Sequence, residues 1–286
     1  MMSVLQYDFM QHALAAGVLV SIACGVVGTY VVVRRMVFIS GGVSHATFGG
    51  IGLAYYVGFN PIAGALGFAV FAAMAMGILS RRMHLSEDTG IGVLWATGMA
   101  LGVVFVGLSD GYARDLFSYL FGNILTVKSS ELLFMVLLDA VIIVTVIAFY
   151  KEFLAISFDE EFSRAEGVPT NALNMVLLGL IALTIVMVIR VVGIVLVIAL
   201  LSIPPAIARQ YTHRLSTMMW LAVVVSILLA TGGIALSYIM DLGSGATIIL
   251  LGGVALLLVM LERRRSHHRL GPQSTDRNPD EMGLEE

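Results

Sequence analysis

The chain has 286 residues, 59% of them hydrophobic and 12% charged, with a mean hydropathy of +0.96 and a formal net charge of -3. That composition excludes a water-soluble globule and describes a polytopic membrane protein. The sixteen basic residues, fourteen Arg and two Lys, gather at the ends of apolar runs, which argues against nucleic acid as a partner.

Nine apolar segments follow one another, roughly Ala13 to Val33, Val43 to Val57, Ile62 to Leu79, Ile91 to Leu108, Leu132 to Tyr150, Ala172 to Ile189, Val191 to Ala208, Met218 to Met240 and Ala246 to Leu261. Most are long enough, as helices, to cross a hydrocarbon core about 30 Å thick. The expected fold is therefore all-α, a transmembrane helical bundle of about nine spans over residues 1–262. Asp8, not a basic region, precedes the first run, so a cleavable signal peptide is not expected. Cys24, the single cysteine, reads as a small buried core residue.

In the second segment Gly42, Ala46, Gly50, Ala54 and Gly58 recur every four residues and form a ribbon of small side chains that lets helices approach closely. His45 runs beside that ribbon. A histidine there faces protein or a cavity, where it either lines a metal path or bonds a carbonyl or Ser44 and fixes the packing. In the fourth segment Gly98 and Gly102 make a second close-packing pair.

Between the fourth and fifth segments, Leu116 to Leu125 is apolar but too short to span, and is expected to pack as an interfacial or re-entrant helix. Asp139 lies in the middle of the fifth segment, either paired with a buried cation or hydrogen-bonded within the bundle.

The polar stretch Ser157 to Thr170 carries Asp159, Glu160, Glu161, Arg164 and Glu166 between two long apolar runs. At a bilayer centre each charge would cost about 2.5 to 3.5 kcal/mol, so the stretch lies in water. Phe158, Phe162 and Ala165 share one face, and Gly167 and Pro169 end the segment, which predicts an amphipathic helix over 157–168. Its acidic character disfavours passive adsorption to anionic headgroups and favours a soluble partner.

The seventh segment contains Ser202-Ile-Pro-Pro205. Pro204 and Pro205 remove backbone donors, which predicts a break near that end of the span and a place on the translocation route or gate. Residues 263–286 are expected to form a tail, polar and disordered from Ser266 onward; His267 and His268 read as tail residues rather than a metal site.

Basic residues mark every second connection: Arg34 and Arg35, Arg81 and Arg82, Lys151, Arg209 and Arg214, then Arg263 to Arg265. The positive-inside rule places those connections in the cytoplasm, with the N-terminus outside and the C-terminus inside. The 157–168 segment then falls on the cytoplasmic side by a count that did not use it. No phosphate-binding loop of the type G-x-x-x-x-G-K-[ST] is present, so the chain is not expected to hydrolyse ATP or to act as an enzyme. Few charges lie inside the spans, which disfavours a proton- or sodium-coupled carrier.

Several motifs together resemble the membrane permeases of ATP-binding-cassette importers for zinc, manganese and iron. They are Gly42-Val-Ser-His-Ala-Thr-Phe-Gly-Gly-Ile-Gly-Leu53, Glu87-Asp-Thr-Gly-Ile-Gly-Val93, Tyr119-Leu-Phe-Gly-Asn-Ile-Leu125, Phe158-Asp-Glu-Glu-Phe162 with Gly167, Val192 to Arg209, and Asp241-Leu-Gly-Ser-Gly-Ala246. The resemblance covers residues 10–262. It implies a bacterial inner-membrane location, a homodimer of permeases, two cytoplasmic ATPase subunits docked on Phe158 to Arg164, and an extracytoplasmic metal-binding protein. No cofactor is implied for the chain itself: the partner binds ATP, and a divalent metal is the cargo. His45 matches the family's path histidine, whereas the family's aspartate one turn earlier is Gly41 here. Alternative readings are the same architecture carrying a metal chelate or vitamin, and a self-contained secondary transporter.

Overall fold

Inside a membrane every backbone N–H and C=O must find its partner within the protein, and a helix does this locally. The computed structural model describes residues 7–82, 87–109 and 116–269, and these form helices and turns without a strand. The order is α1 (Asp8–Val33), α2 (Val37–Val57), α3 (Pro61–Arg82), α4 (Glu87–Leu108), α5 (Leu116–Phe121), α6 (Ser129–Ala148), α7 (Tyr150–Phe158), α8 (Glu160–Ala165), α9 (Thr170–Val192), α10 (Val197–Arg209), α11 (Leu215–Met240) and α12 (Ser244–Arg269). Eight of them, α1 to α4, α6, α9, α11 and α12, are long and apolar enough to cross a membrane.

The ninth expected span is built differently. The apolar run after Ile189 is interrupted: α9 continues through Arg190 to Val192, Gly193 turns the chain at φ +82°, and one 3-10 turn over Ile194–Leu196 leads into α10 of only 13 residues. Gly193 meets Gly122, itself at φ +71°, in the loop after α5. A Cβ on Gly193 would lie 2.4 Å from the Gly122 nitrogen, so both positions need glycine for conformation and for space. Arg190, expected in a loop, instead lies in the last turn of α9, paired with Glu131 at 2.6 Å and above the Tyr119 ring.

The expected break at Pro204 and Pro205 is absent. Both prolines are buried inside α10, which continues to Arg209.

Helix α1 runs through the middle of the bundle, against α6, α9, α10 and α11. Helix α2 is clasped between α3 and α4. The small residues allow this: a Cβ on Gly50 would lie 2.2 Å from the Gly64 carbonyl of α3, and one on Gly98 would lie 2.5 Å from the Ala46 Cα. Outward faces of α4, α6 and α12 expose Leu, Val and Ile, the surface that lipid solvates in a membrane protein.

The segment 157–168 is two elements rather than one helix. Phe158 closes α7, Asp159 is extended (φ -149°, ψ 101°), and α8 starts at Glu160. An aspartate at that position ends one helix and caps the next, because its carboxylate accepts the Phe162 N–H at 2.8 Å. Of the segment read as a tail, residues through Arg269 prolong α12, and the remainder lies outside the described residues.

Candidate functional site

Two groups of predicted residues occupy different depths. The first surrounds α8, on the face of the bundle where α1 ends and α9 begins. There the Arg34 Nη2 donates to Glu160 Oε2 at 2.8 Å, and its Nη1 donates to the Asn174 carboxamide oxygen. The Glu160 Oε1 accepts from Asn174 Nδ2 at 2.9 Å and from Arg164 Nη2 at 3.1 Å. Arg164 also donates to the Thr170 hydroxyl at 3.2 Å. Charge-assisted bonds of this kind contribute about 1.5 to 3 kcal/mol each when shielded from water. The Arg34 side chain is 12% exposed and that of Glu160 31%, so the pair sits between the buried and the surface regime.

Glu160 is thus turned inward, onto α1 and α9. The two phenylalanines do the reverse: Phe158 is 72% exposed and Phe162 64%. Of the acids, Asp159 caps α8, Glu160 ties it to α1 and α9, and Glu161 stands exposed. Gly167 at φ +85° closes α8: the Val168 N–H reaches the Ser163 carbonyl at 3.0 Å and the Gly167 N–H reaches that of Arg164 at 3.1 Å. Behind this elbow a cavity of about 560 Å³ opens between Arg34, Met36, Met76, Glu160, Asn174 and Leu178. The polar contacts of Arg34 therefore bridge α8 to the bundle beside open space.

The second group lies within the bundle, on α2. His45 is 7% exposed, and its ring stacks flat on Trp95 of α4, with centroids 4.1 Å apart and planes 10° apart. Its Nδ1 is buried without a hydrogen-bond partner. Ser44, one of the partners considered for it, gives its hydroxyl to the Gly41 carbonyl at 2.8 Å. Gly41 faces α10: a Cβ there would lie 2.5 Å from Ile198 Cδ1 and 3.8 Å from the Trp95 ring. Ile198 and Trp95 together wall the space where an aspartate would have projected. One turn farther along α10, Ser202 donates to the Ile198 carbonyl at 2.7 Å, ahead of Pro204 and Pro205. The structure therefore brings His45 beside the beginning of α10 and leaves the 158–167 group on a separate level.

Asp139 is 4% exposed, and neither carboxylate oxygen has a hydrogen-bond partner, so of its two readings the structure lacks the bonding within the bundle. Among the described residues no three His, Cys, Asp or Glu side chains cluster as a metal site. Trp95 escaped the sequence reading: its partner lies on another helix, and no spacing within one helix signals a contact between two.

A model of the ABC 3 transport family matches residues 6–263. The chain belongs to that family. An ABC 3 membrane protein of this kind is a multi-pass permease subunit of the bacterial inner membrane, in agreement with the resemblance read from its motifs and with its eight membrane-length helices. The chain is 50% identical over 264 residues to an uncharacterised membrane protein of Synechocystis sp., covering 92% of this chain and 94% of that one. It is 35% identical over 258 residues to the manganese transport system membrane protein MntC of Listeria monocytogenes, covering 90% and 91%. Among solved structures it is similar to PsaBC from Streptococcus pneumoniae in complex with Fab, with a TM-score of 0.84 and 28% identity, covering 94% of this chain and 98% of that one.

Proposed function

We propose that this ABC 3 chain is the pathway subunit of an importer for a divalent transition metal, powered by ATP that separate cytoplasmic subunits hydrolyse. The observation that carries the reading is His45: an imidazole buried within the membrane bundle, whose Nδ1 lacks a hydrogen-bond partner. An orphaned buried polar atom costs about 1 to 3 kcal/mol, and a site that binds its ligand only transiently accounts for that cost. Imidazole is a common ligand of transition metals. The name of the Listeria relative, a manganese transport protein, supports the same cargo class.

In this reading the positive-inside count puts α8 and the Arg34 end of α1 in the cytoplasm. The ATPase seats Phe158 and Phe162 in an apolar cleft, beside the exposed acid Glu161. ATP-driven closure moves α8, and the Arg34–Glu160–Asn174 contacts pass that motion to α1 and α9. Helix α10, next to α9 and beside His45, then changes which side reaches the imidazole. Two copies of the permease and an extracytoplasmic metal-binding protein complete the assembly.

Two measurements test the halves separately. Replacing His45 with Ala is expected to abolish accumulation of radioactive manganese and zinc while leaving ATPase binding intact; normal accumulation would remove His45 from the path. Labelling of a cysteine placed at Glu161 from the cytoplasmic side is expected, and labelling from outside alone would defeat the docking assignment.

A further inference from the structure

We propose that Trp95 is a positioning residue for His45, fixing the plane of its imidazole and favouring the ring when it carries a bound cation; this rests on His45 lying on the metal path. Metal-binding histidines are usually held by a hydrogen bond from the second ring nitrogen to a carboxylate or carbonyl. Nδ1 of His45, the nitrogen left open for the metal in the reading above, makes no hydrogen bond that could orient the ring. What holds the ring is shape. Gly98 of α4 closes on Ala46 of α2, and Gly102 closes on Phe48, with Cβ positions 2.5 Å and 2.4 Å from the nearest atoms. That approach presses the half-buried indole flat on the imidazole at 4.1 Å. Ile198 occupies the space at Gly41 on the neighbouring side.

The stack has an electrostatic sense. The indole face is electron-rich and attracts positive charge within about 6 Å of its centroid. Ligation of a divalent ion draws charge from the imidazole and makes the ring more cationic, so the stack strengthens when metal is bound. Loss of the indole should therefore weaken apparent affinity and leave turnover alone, a split that loss of packing would not produce.

The test is Mn2+ uptake by the full transporter in cells. Trp95→Leu is expected to raise KM about tenfold with the maximal rate within twofold of the parent, and Trp95→Phe, which keeps a flat ring, to hold KM within threefold. A parental KM in Trp95→Leu, or an equal loss in Trp95→Phe, overturns the proposal. Should Trp95→Leu fail to accumulate, fluorescence decides. The chain has two tryptophans and Trp220 is 74% exposed, so Trp220→Phe leaves Trp95 as its only tryptophan, read by red-edge excitation that spares the tyrosines. Its emission is expected to respond to Mn2+ in that variant and not after a further His45→Ala; no response in Trp220→Phe overturns the proposal. Normal uptake in His45→Ala would instead sink the metal-path reading itself. An inactive His45→Ala beside a parental Trp95→Leu would sink only the role of Trp95.

Discussion

Gly28 of α1 lies against the carbonyl oxygen of Leu201 in α10: a Cβ at Gly28 would sit 2.3 Å from that oxygen. The helical donors to this carbonyl would come from positions 204 and 205, both proline and both without an N–H. With no side chain at Gly28, α1 packs directly over this carbonyl and Pro205, whose Cγ would lie 3.0 Å from a Cβ there. This relationship explains how α10 runs through two prolines. Gly28→Ala is expected to push α1 and α10 apart, costing about 2 to 3 kcal/mol and lowering both membrane abundance and the melting temperature of the purified permease. A melting temperature equal to that of the parent would show that the contact is dispensable.

Arg34 and Glu160 should behave as one unit. Arg34→Ala and Glu160→Ala each break contacts between α8 and the bundle, so the double variant is expected to be little worse than either alone, with a coupling energy of about 1 to 3 kcal/mol. Thermal unfolding of the four proteins in the cycle measures it. Additive effects would mean that the 2.8 Å contact carries no weight. In transport assays, transporters assembled with the same variants are expected to show ATP hydrolysis by the ATPase subunits without matching metal uptake.

Phe158 and Phe162 are expected to matter for the partner and not for the fold. Both are mostly exposed, so truncation to Ala removes little internal packing. A buried aromatic anchor at an interface contributes about 2 kcal/mol or more. Co-purification of the ATPase should fall at least tenfold for the double variant, with the melting temperature unchanged. Retained ATPase would place docking elsewhere.

Gly41→Asp alone requires the end of the Ile198 side chain to swing aside, since its Cβ would lie 2.5 Å from Ile198 Cδ1. Paired with Ile198→Ala the carboxylate has room beside His45. An added oxygen ligand suits manganese better than a nitrogen-only site does. The ratio of manganese to zinc uptake in competition is expected to rise severalfold in the double variant; an unchanged ratio would separate this position from selectivity.

Asp139 offers a stability test. Its two oxygens make no hydrogen bond, so replacing it with Leu breaks none and removes a polar group from the middle of a span. The melting temperature is expected to stay level or rise, by the equivalent of about 1 to 3 kcal/mol. A clear loss would mean that the carboxylate holds a cation or a proton-linked contact in the working protein.

The sequence by itself determined the membrane class, eight of its nine expected spans as full-length helices, the close packing of α2 through its glycines, and a polar segment at 157–168, though not its division into two helices. These follow from local quantities: run length, four-residue periodicity and the cost of charge in hydrocarbon. Tertiary structure alone decided where the chain breaks and which way its side chains turn. Pro204 and Pro205 read as a helix break because the contact that accommodates them comes from Gly28, more than 170 residues earlier. Gly193 does break the helix, because the loop at Gly122 needs the space. Arg34 and Asn174 turn Glu160 into the bundle, and Trp95 meets His45 only because α4 closes on α2. A periodic pattern reports one helix and its medium; the partner of a buried group is chosen by helices remote in the chain, and no local pattern encodes that choice.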